Sequence, residues 1–188
     1  MCAAIDRQRG VSLVELIVFI VVVGVAVAGV VAALRLGAAT STDPMVHKQA
    51  LAIAEALLEE VELQPFTYCD PDDANAATAL STAGCAVAGN NESLAMGPEG
   101  ADARGSVATP FDNVSDYHNL SLVGITGIDG AAIAGLGAYN ATVTVTQQGL
   151  GAIPGAEALL IRVQVTGPSN VTVVLDGYRT RYAPNALP

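Results

Sequence analysis

Arg9-Gly10-Val11-Ser12-Leu13-Val14-Glu15-Leu16 opens the decisive stretch, and the apolar run that starts at Leu16 continues without charge or proline to Leu34. At ~1.5 Å rise per residue a helix over this run spans close to 30 Å, the hydrocarbon thickness of a bilayer. Glu15 is the one acid at its edge, five residues past Gly10. An unpaired carboxylate in lipid costs roughly 2.5–3.5 kcal/mol even on lenient scales, so Glu15 is expected to have a partner and a role. Two ordinary readings compete. The run is an uncut signal anchor, or it is a secretory signal peptide cleaved after the small-x-small site Ala26-Val27-Ala28. Neither explains a glutamate at the mouth of the apolar segment.

Gly10 followed by Val-Ser-Leu-Val-Glu-Leu-Ile resembles the class III signal of type IV prepilins and type II secretion pseudopilins. The resemblance implies a membrane aspartyl peptidase that cuts between Gly10 and Val11 and methylates the new N-terminus at Val11. It also implies that Glu15 is the assembly carboxylate, paired with the N-terminal amine of a neighbouring subunit. The sequence departs from the family pattern at Val11, where Phe or Met is usual, and at Ala32, where many major pilins carry a helix-kinking proline. Gly24 and Gly29 are the flexible points instead.

The chain has 188 residues, and removing a membrane helix leaves enough for one domain with a moderate core. Its net charge is −10, and the leader residues Arg7, Arg9 and Asp6 make the remainder more acidic still. The other basic residues (Arg35, Lys48, Arg104, Arg162, Arg179 and Arg181) are scattered, which argues against a nucleic-acid-binding surface. Arg7 and Arg9 before the apolar run place the leader in the cytoplasm and the following domain outside, with Arg35 weakening the asymmetry. Cys2 lies in the leader. Cys69 and Cys85 remain as an even pair in an exported domain and are expected to form a disulfide. Two free thiols, or half of a metal site, are the alternatives; no third cysteine or nearby histidine completes a zinc site.

Beyond the membrane run, Asp43-Pro44 reads as an N-cap and first helical residue. Met45 to Leu63 is amphipathic, with Leu51, Ala54, Leu57, Leu58 and Val61 on one side and Glu55, Glu59, Glu60 and Glu62 on a solvated face. Gln64-Pro65 ends it. One long helix, bent near Thr40–Pro44, is the expectation. Phe66 to Asp116 is irregular. Strands are expected at Leu120–Val123, Tyr139–Gln147, Leu159–Thr166 and Val171–Leu175, the last extended or bent by Gly177–Tyr182. Gly124 to Gly137 is expected to be a mobile connection. The fold class is therefore α+β and pilin-like: a long N-terminal helix, membrane-spanning in its first half, packed on a small antiparallel β-sheet. The expected divisions are a cleaved leader (1–10), a transmembrane and assembly helix (11–35), its amphipathic continuation (36–65) and an exported globular domain (66–188).

Asp43-Pro44-Met45, the Ala50–Glu60 run, Tyr68-Cys69-Asp70-Pro71-Asp72-Asp73-Ala74 and Phe111–His118 are similar to stretches of MshD-type minor pilins of the mannose-sensitive haemagglutinin pilus system. That resemblance implies a structural subunit of a pilus, contributing to adhesion or pilus biogenesis. Its partners would be the prepilin peptidase, other pilin subunits, the assembly machinery and, before assembly, the inner membrane. A secretion pseudopilin, or a membrane-anchored module binding a surface ligand, are the alternatives. Asp70-Pro71-Asp72-Asp73-Ala74-Asn75 looks superficially like an EF-hand loop but lacks its glycine, and Ser81 stands where the bidentate glutamate belongs. Asp112, Asp116 and His118 are read as capping and turn residues rather than metal ligands. No nucleophile elbow or phosphate loop is present, so neither an enzyme, a cofactor nor a metal is expected.

Overall fold

The computed structural model describes residues 12–41, 43–92 and 97–186. The chain divides into two compact units, one ending at Pro44 and the other starting at Met45. The first contains helix α1 (Leu13–Ser41). Its Leu13–Arg35 portion, 23 residues of mean hydropathy 3.1 with none buried, is long and apolar enough to cross a bilayer. Leu, Ile, Val and Ala occupy every side of it, so the helix has no single core-facing stripe. A helix apolar all round needs lipid or other helices about it.

The second unit begins with helix α2 (Asp43–Leu63) and carries one sheet of four antiparallel strands in meander order. These are β1 (Ser121–Val123), β2 (Asn140–Gln147), β3 (Ala158–Thr166) and β4 (Thr172–Thr180). Alternation of β-branched residues sets the register, because a one-residue slip would turn the whole apolar set outward. Val143 of β2 faces Val163 of β3, which faces Leu175 of β4. Ala141, Val165 and Val173 form the adjacent row, and Val145 stands opposite Ile161. The other sheet face is polar, where Arg162 and Asp176 pair across β3 and β4 at 2.7 Å. Residue 42, and with it the expected bend, lies outside the described residues, as do the side chain of Asp43 and its expected capping role.

Helix α2 covers the apolar face. Ala50, Ile53, Ala54, Leu57 and Val61 are buried with the sheet residues in one core, while Leu51 and Leu58 flank it. Of the expected stripe, Ala54, Leu57 and Val61 are thus in the core and Leu51 and Leu58 at its margin, with Ala50 and Ile53 added to it. The contact is close at Gly177, where a Cβ would meet the Glu62 carboxylate and lie 2.9 Å from Leu58 Cδ1. Residues 124–137, expected as a connection between strands, are exposed over 128–135 but anchored at their start. Ile125 is buried in the core, and its carbonyl accepts from Ile133 N at 3.1 Å while Gly127 N donates to Ala131 O at 2.8 Å. The glycines in this segment serve turns, with Gly124, Gly130 and Gly135 at positive φ.

Candidate functional site

Among the described side chains of the first unit the one carboxylate is Glu15, in the first turn of α1, with the Arg35 guanidinium at the far end of the apolar run. Ser12 O accepts the Leu16 N–H at 3.1 Å, so the helix is already formed at this point. A negative charge here meets the positive end of the helix dipole and the unsatisfied N–H groups of the first turn. The flanking Leu13, Val14, Leu16 and Ile17 are all exposed. The arrangement is a single anion at the tip of an apolar rod. Gly10 and Val11, the expected cleavage and methylation positions, lie outside the described residues.

In the second unit Cys69 and Cys85 are joined by a disulfide, their Cα atoms 5.5 Å apart. Asp73 organises the loop it closes. Its Oδ1 accepts from Asn75 N at 2.9 Å and Ala86 N at 2.8 Å, and its Oδ2 accepts from Val87 N at 3.0 Å. Burial alone would raise this carboxyl, but the three N–H donors outweigh it and hold the group below its ordinary range.

Beside this loop the structure assembles a group of carboxylates that one-dimensional reasoning missed. Antiparallel pairing of Cys69 with Asn91 brings Asp70 and Glu92 onto neighbouring backbone segments, through Asp70 N to Asn90 O at 2.9 Å and Glu92 N to Tyr68 O at 3.1 Å. A bond from Gly97 N to Ser115 O at 3.0 Å draws the Glu99 segment against the 3-10 turn Ser115–Tyr117, which carries Asp116. Asp70, Glu92 and Glu99 each offer an oxygen within 4.8 Å of the others. Asp70, Glu92 and Asp116 are at most 2 % exposed. Burial, with like charge from neighbouring carboxylates adding to it, pushes Asp70 up to about 6, Asp112 to about 7 and Glu92 to about 8. Burial also raises Glu99 and Asp116. The two approach carboxyl to carboxyl, an arrangement that a shared proton or a cation would satisfy.

The structure splits the Asp112–His118 group. His118 Nδ1 accepts from Val145 N at 3.2 Å and is spent on β2. Asp116 Oδ2 caps the turn, as expected, accepting from Asp112 N and Asn113 N at 2.9 Å each, while its Oδ1 joins the carboxylate group without a donor. Glu60 also departs from the solvated face expected of it. Its two oxygens grip Arg104 Nε at 2.7 Å and Nη2 at 2.8 Å, and Tyr117 Oη donates to it at 3.0 Å. The only available sequence signal for the carboxylate group was its density of acids between Asp70 and Asp116; nothing in their spacing says that they converge.

Residues 5–31 match the prokaryotic N-terminal methylation motif, which supports the type IV pilin and pseudopilin superfamily. No curated protein and no solved structure matches the chain.

Proposed function

We propose that this chain is a structural subunit of the type IV pilin kind, specifically a minor pilin resembling those of the mannose-sensitive haemagglutinin system, and not an enzyme. A prepilin peptidase cuts between Gly10 and Val11, Val11 receives the methyl group, and the exported domain lies in the periplasm until assembly. The Val11 ammonium of one subunit then pairs with Glu15 of another while the α1 helices bundle with those of sister pilins. Lipid is already apolar, so helix packing and this ion pair must supply the bias towards assembly. Glu15 also acts as a register device, because a slipped helix leaves its charge uncompensated in a low-dielectric surrounding. Processing primes the chain for a fibre and adhesion or pilus biogenesis follows, with the assembly machinery supplying the work of extraction.

The observation that carries this reading is a methylation motif at residues 5–31 coinciding with one carboxylate at the head of a 23-residue apolar helix. N-terminal sequencing of the exported protein tests it. A methylated start at Val11 is expected; a start near Gly29, or an intact Met1, overturns it. A pseudopilin of protein secretion is equally compatible with the motif, and the machinery that co-purifies with the chain separates the two. A membrane-anchored module that binds a surface ligand would instead retain its leader.

A further inference from the structure

We propose that Asp70, Glu92 and Glu99, with Asp112 and Asp116 beside them, bind one divalent cation of the calcium type. The observation that points to a ligand is where the free oxygens are. Asp70 Oδ2, Glu92 Oε1, both oxygens of Glu99, Asp112 Oδ1 and Asp116 Oδ1 are buried and lack any hydrogen-bond donor. Among the described residues, Arg179 Nε is the one other buried side-chain polar atom in that condition. Buried polar atoms are almost always partnered, so a convergence of this kind needs an explanation.

Asp70, Glu92 and Asp116 are held with one oxygen tied back and the other released. Asp70 Oδ1 accepts from Asp72 N at 2.8 Å, Glu92 Oε2 accepts from the Ser115 hydroxyl, and Asp116 Oδ2 accepts two backbone N–H groups. Such bonds orient an oxygen ligand towards a metal. Among the described residues no side-chain cation donates to these free oxygens. Arg181 donates from Nε to Thr67 O at 3.1 Å, from Nη2 to Glu92 O at 3.1 Å, and from Nη1 to Ala156 O at 2.8 Å and Glu157 Oε1 at 3.4 Å. Its charge reaches Glu92 only as a minor influence.

Ligand chemistry selects the ion. Every free ligand atom of the group is oxygen, Cys69 and Cys85 are locked in the disulfide and His118 Nδ1 is bonded to β2, so the group described offers the hard ligands of calcium and not the sulfur and imidazole set of zinc or copper. Ca²⁺ takes 6–8 oxygens at about 2.3–2.6 Å, in flexible geometry, and Asp70, Glu92 and Glu99 each offer one within 4.8 Å of the others. Mg²⁺ dehydrates reluctantly and keeps several waters, which a cluster this buried accommodates poorly. The inference is independent of how α1 assembles.

The test uses the full chain in nonionic detergent micelles, stripped with EGTA and titrated with CaCl₂ by calorimetry and by thermal unfolding. One saturable Ca²⁺ per chain is expected, with a Kd of about 10⁻⁴–10⁻³ M or tighter and a rise in Tm. Glu99→Gln and Asp70→Asn should each weaken binding at least tenfold. Their Tm in EGTA should equal or exceed that of the parent chain, since each removes a repelling charge; Asp176→Asn, on the far sheet face, should bind normally. If Glu99→Gln does not fold, Asp116→Asn replaces it. The proposal is overturned by absence of saturable binding up to about 10 mM Ca²⁺, by normal binding in the cluster variants, or by Mg²⁺ binding as tightly as Ca²⁺.

Discussion

Arg104 and Glu60 show how much a single side-chain pair can tie together. The guanidinium is 7 % exposed and its partner 16 %, and Arg104 Nη1 also donates to Thr126 Oγ1 at 3.2 Å and Gly127 O at 3.0 Å. One residue therefore joins α2 to the 124–137 segment. Arg104→Ala leaves Glu60 buried without its cation and should cost about 3 kcal/mol, measured as a lowered Tm and urea midpoint of the full chain. The carboxylate group supplies a second test at this scale. Carboxyls raised above their ordinary values of 3.8 and 4.5 bind more protons in the folded than in the unfolded state. Their stabilising contribution is complete below about pH 4 and is lost as the pH rises through about 6 to about 8. In EGTA the Tm should consequently fall between about pH 5 and pH 9. A Tm that climbs steadily over that range contradicts the assignment of these groups. Asp73 has the opposite sign: its contribution is present above the unfolded value and disappears on acidification.

Among the elements, α2 and the sheet depend on each other most directly. The sheet is apolar on one face and α2 on one stripe, so neither is stable in water without the other. Gly177 marks their closest approach, and its backbone needs no special conformation, so only space is at issue there. Gly177→Val should therefore destabilise by about 1–3 kcal/mol through overpacking. Leu58→Ala, which clears one of the two obstructing side chains and leaves the Glu62 carboxylate, should restore part of that loss in the double variant. Equal and additive losses in chemical denaturation would mean that α2 does not press on β4 at this point. Periodicity made both partners legible. It placed Ala54, Leu57 and Val61 correctly in the core and omitted Ala50 and Ile53, which are buried beside them.

For the molecule as a whole, the disulfide closes a loop within the irregular region that follows α2. Cys69 and Cys85 are 16 residues apart, a loop for which chain entropy gives about 3 kcal/mol of stabilisation. Cys69 also stands next to Asp70 and pairs with Asn91 beside Glu92. Reduction, or Cys69→Ser with Cys85→Ser, should lower the Tm and also weaken Ca²⁺ binding severalfold. A lowered Tm with undiminished Ca²⁺ affinity would show that the loop and the carboxylate group are independent. The apolar α1 rod and the acidic second unit have different needs: the rod requires lipid or sister helices, the second unit carries its own core.

Sequence alone determined the apolar rod with Glu15 at its head, the amphipathic α2 and the alternating strands, because each is written in contiguous residues whose period sets the local structure. It also identified Cys69 and Cys85 as the pair available for bonding, since they are the two cysteines that follow the apolar run. Only the tertiary structure decided that Glu60 holds Arg104, that the glycine-rich 124–137 segment is tied into the core, and that the acids of the 70–73, 92–99 and 112–116 segments converge. Those facts depend on which segments are brought side by side. A carboxylate in an irregular stretch carries no periodic signal, and its burial becomes defined only when the backbone pairing of 68–70 with 90–92 closes over it.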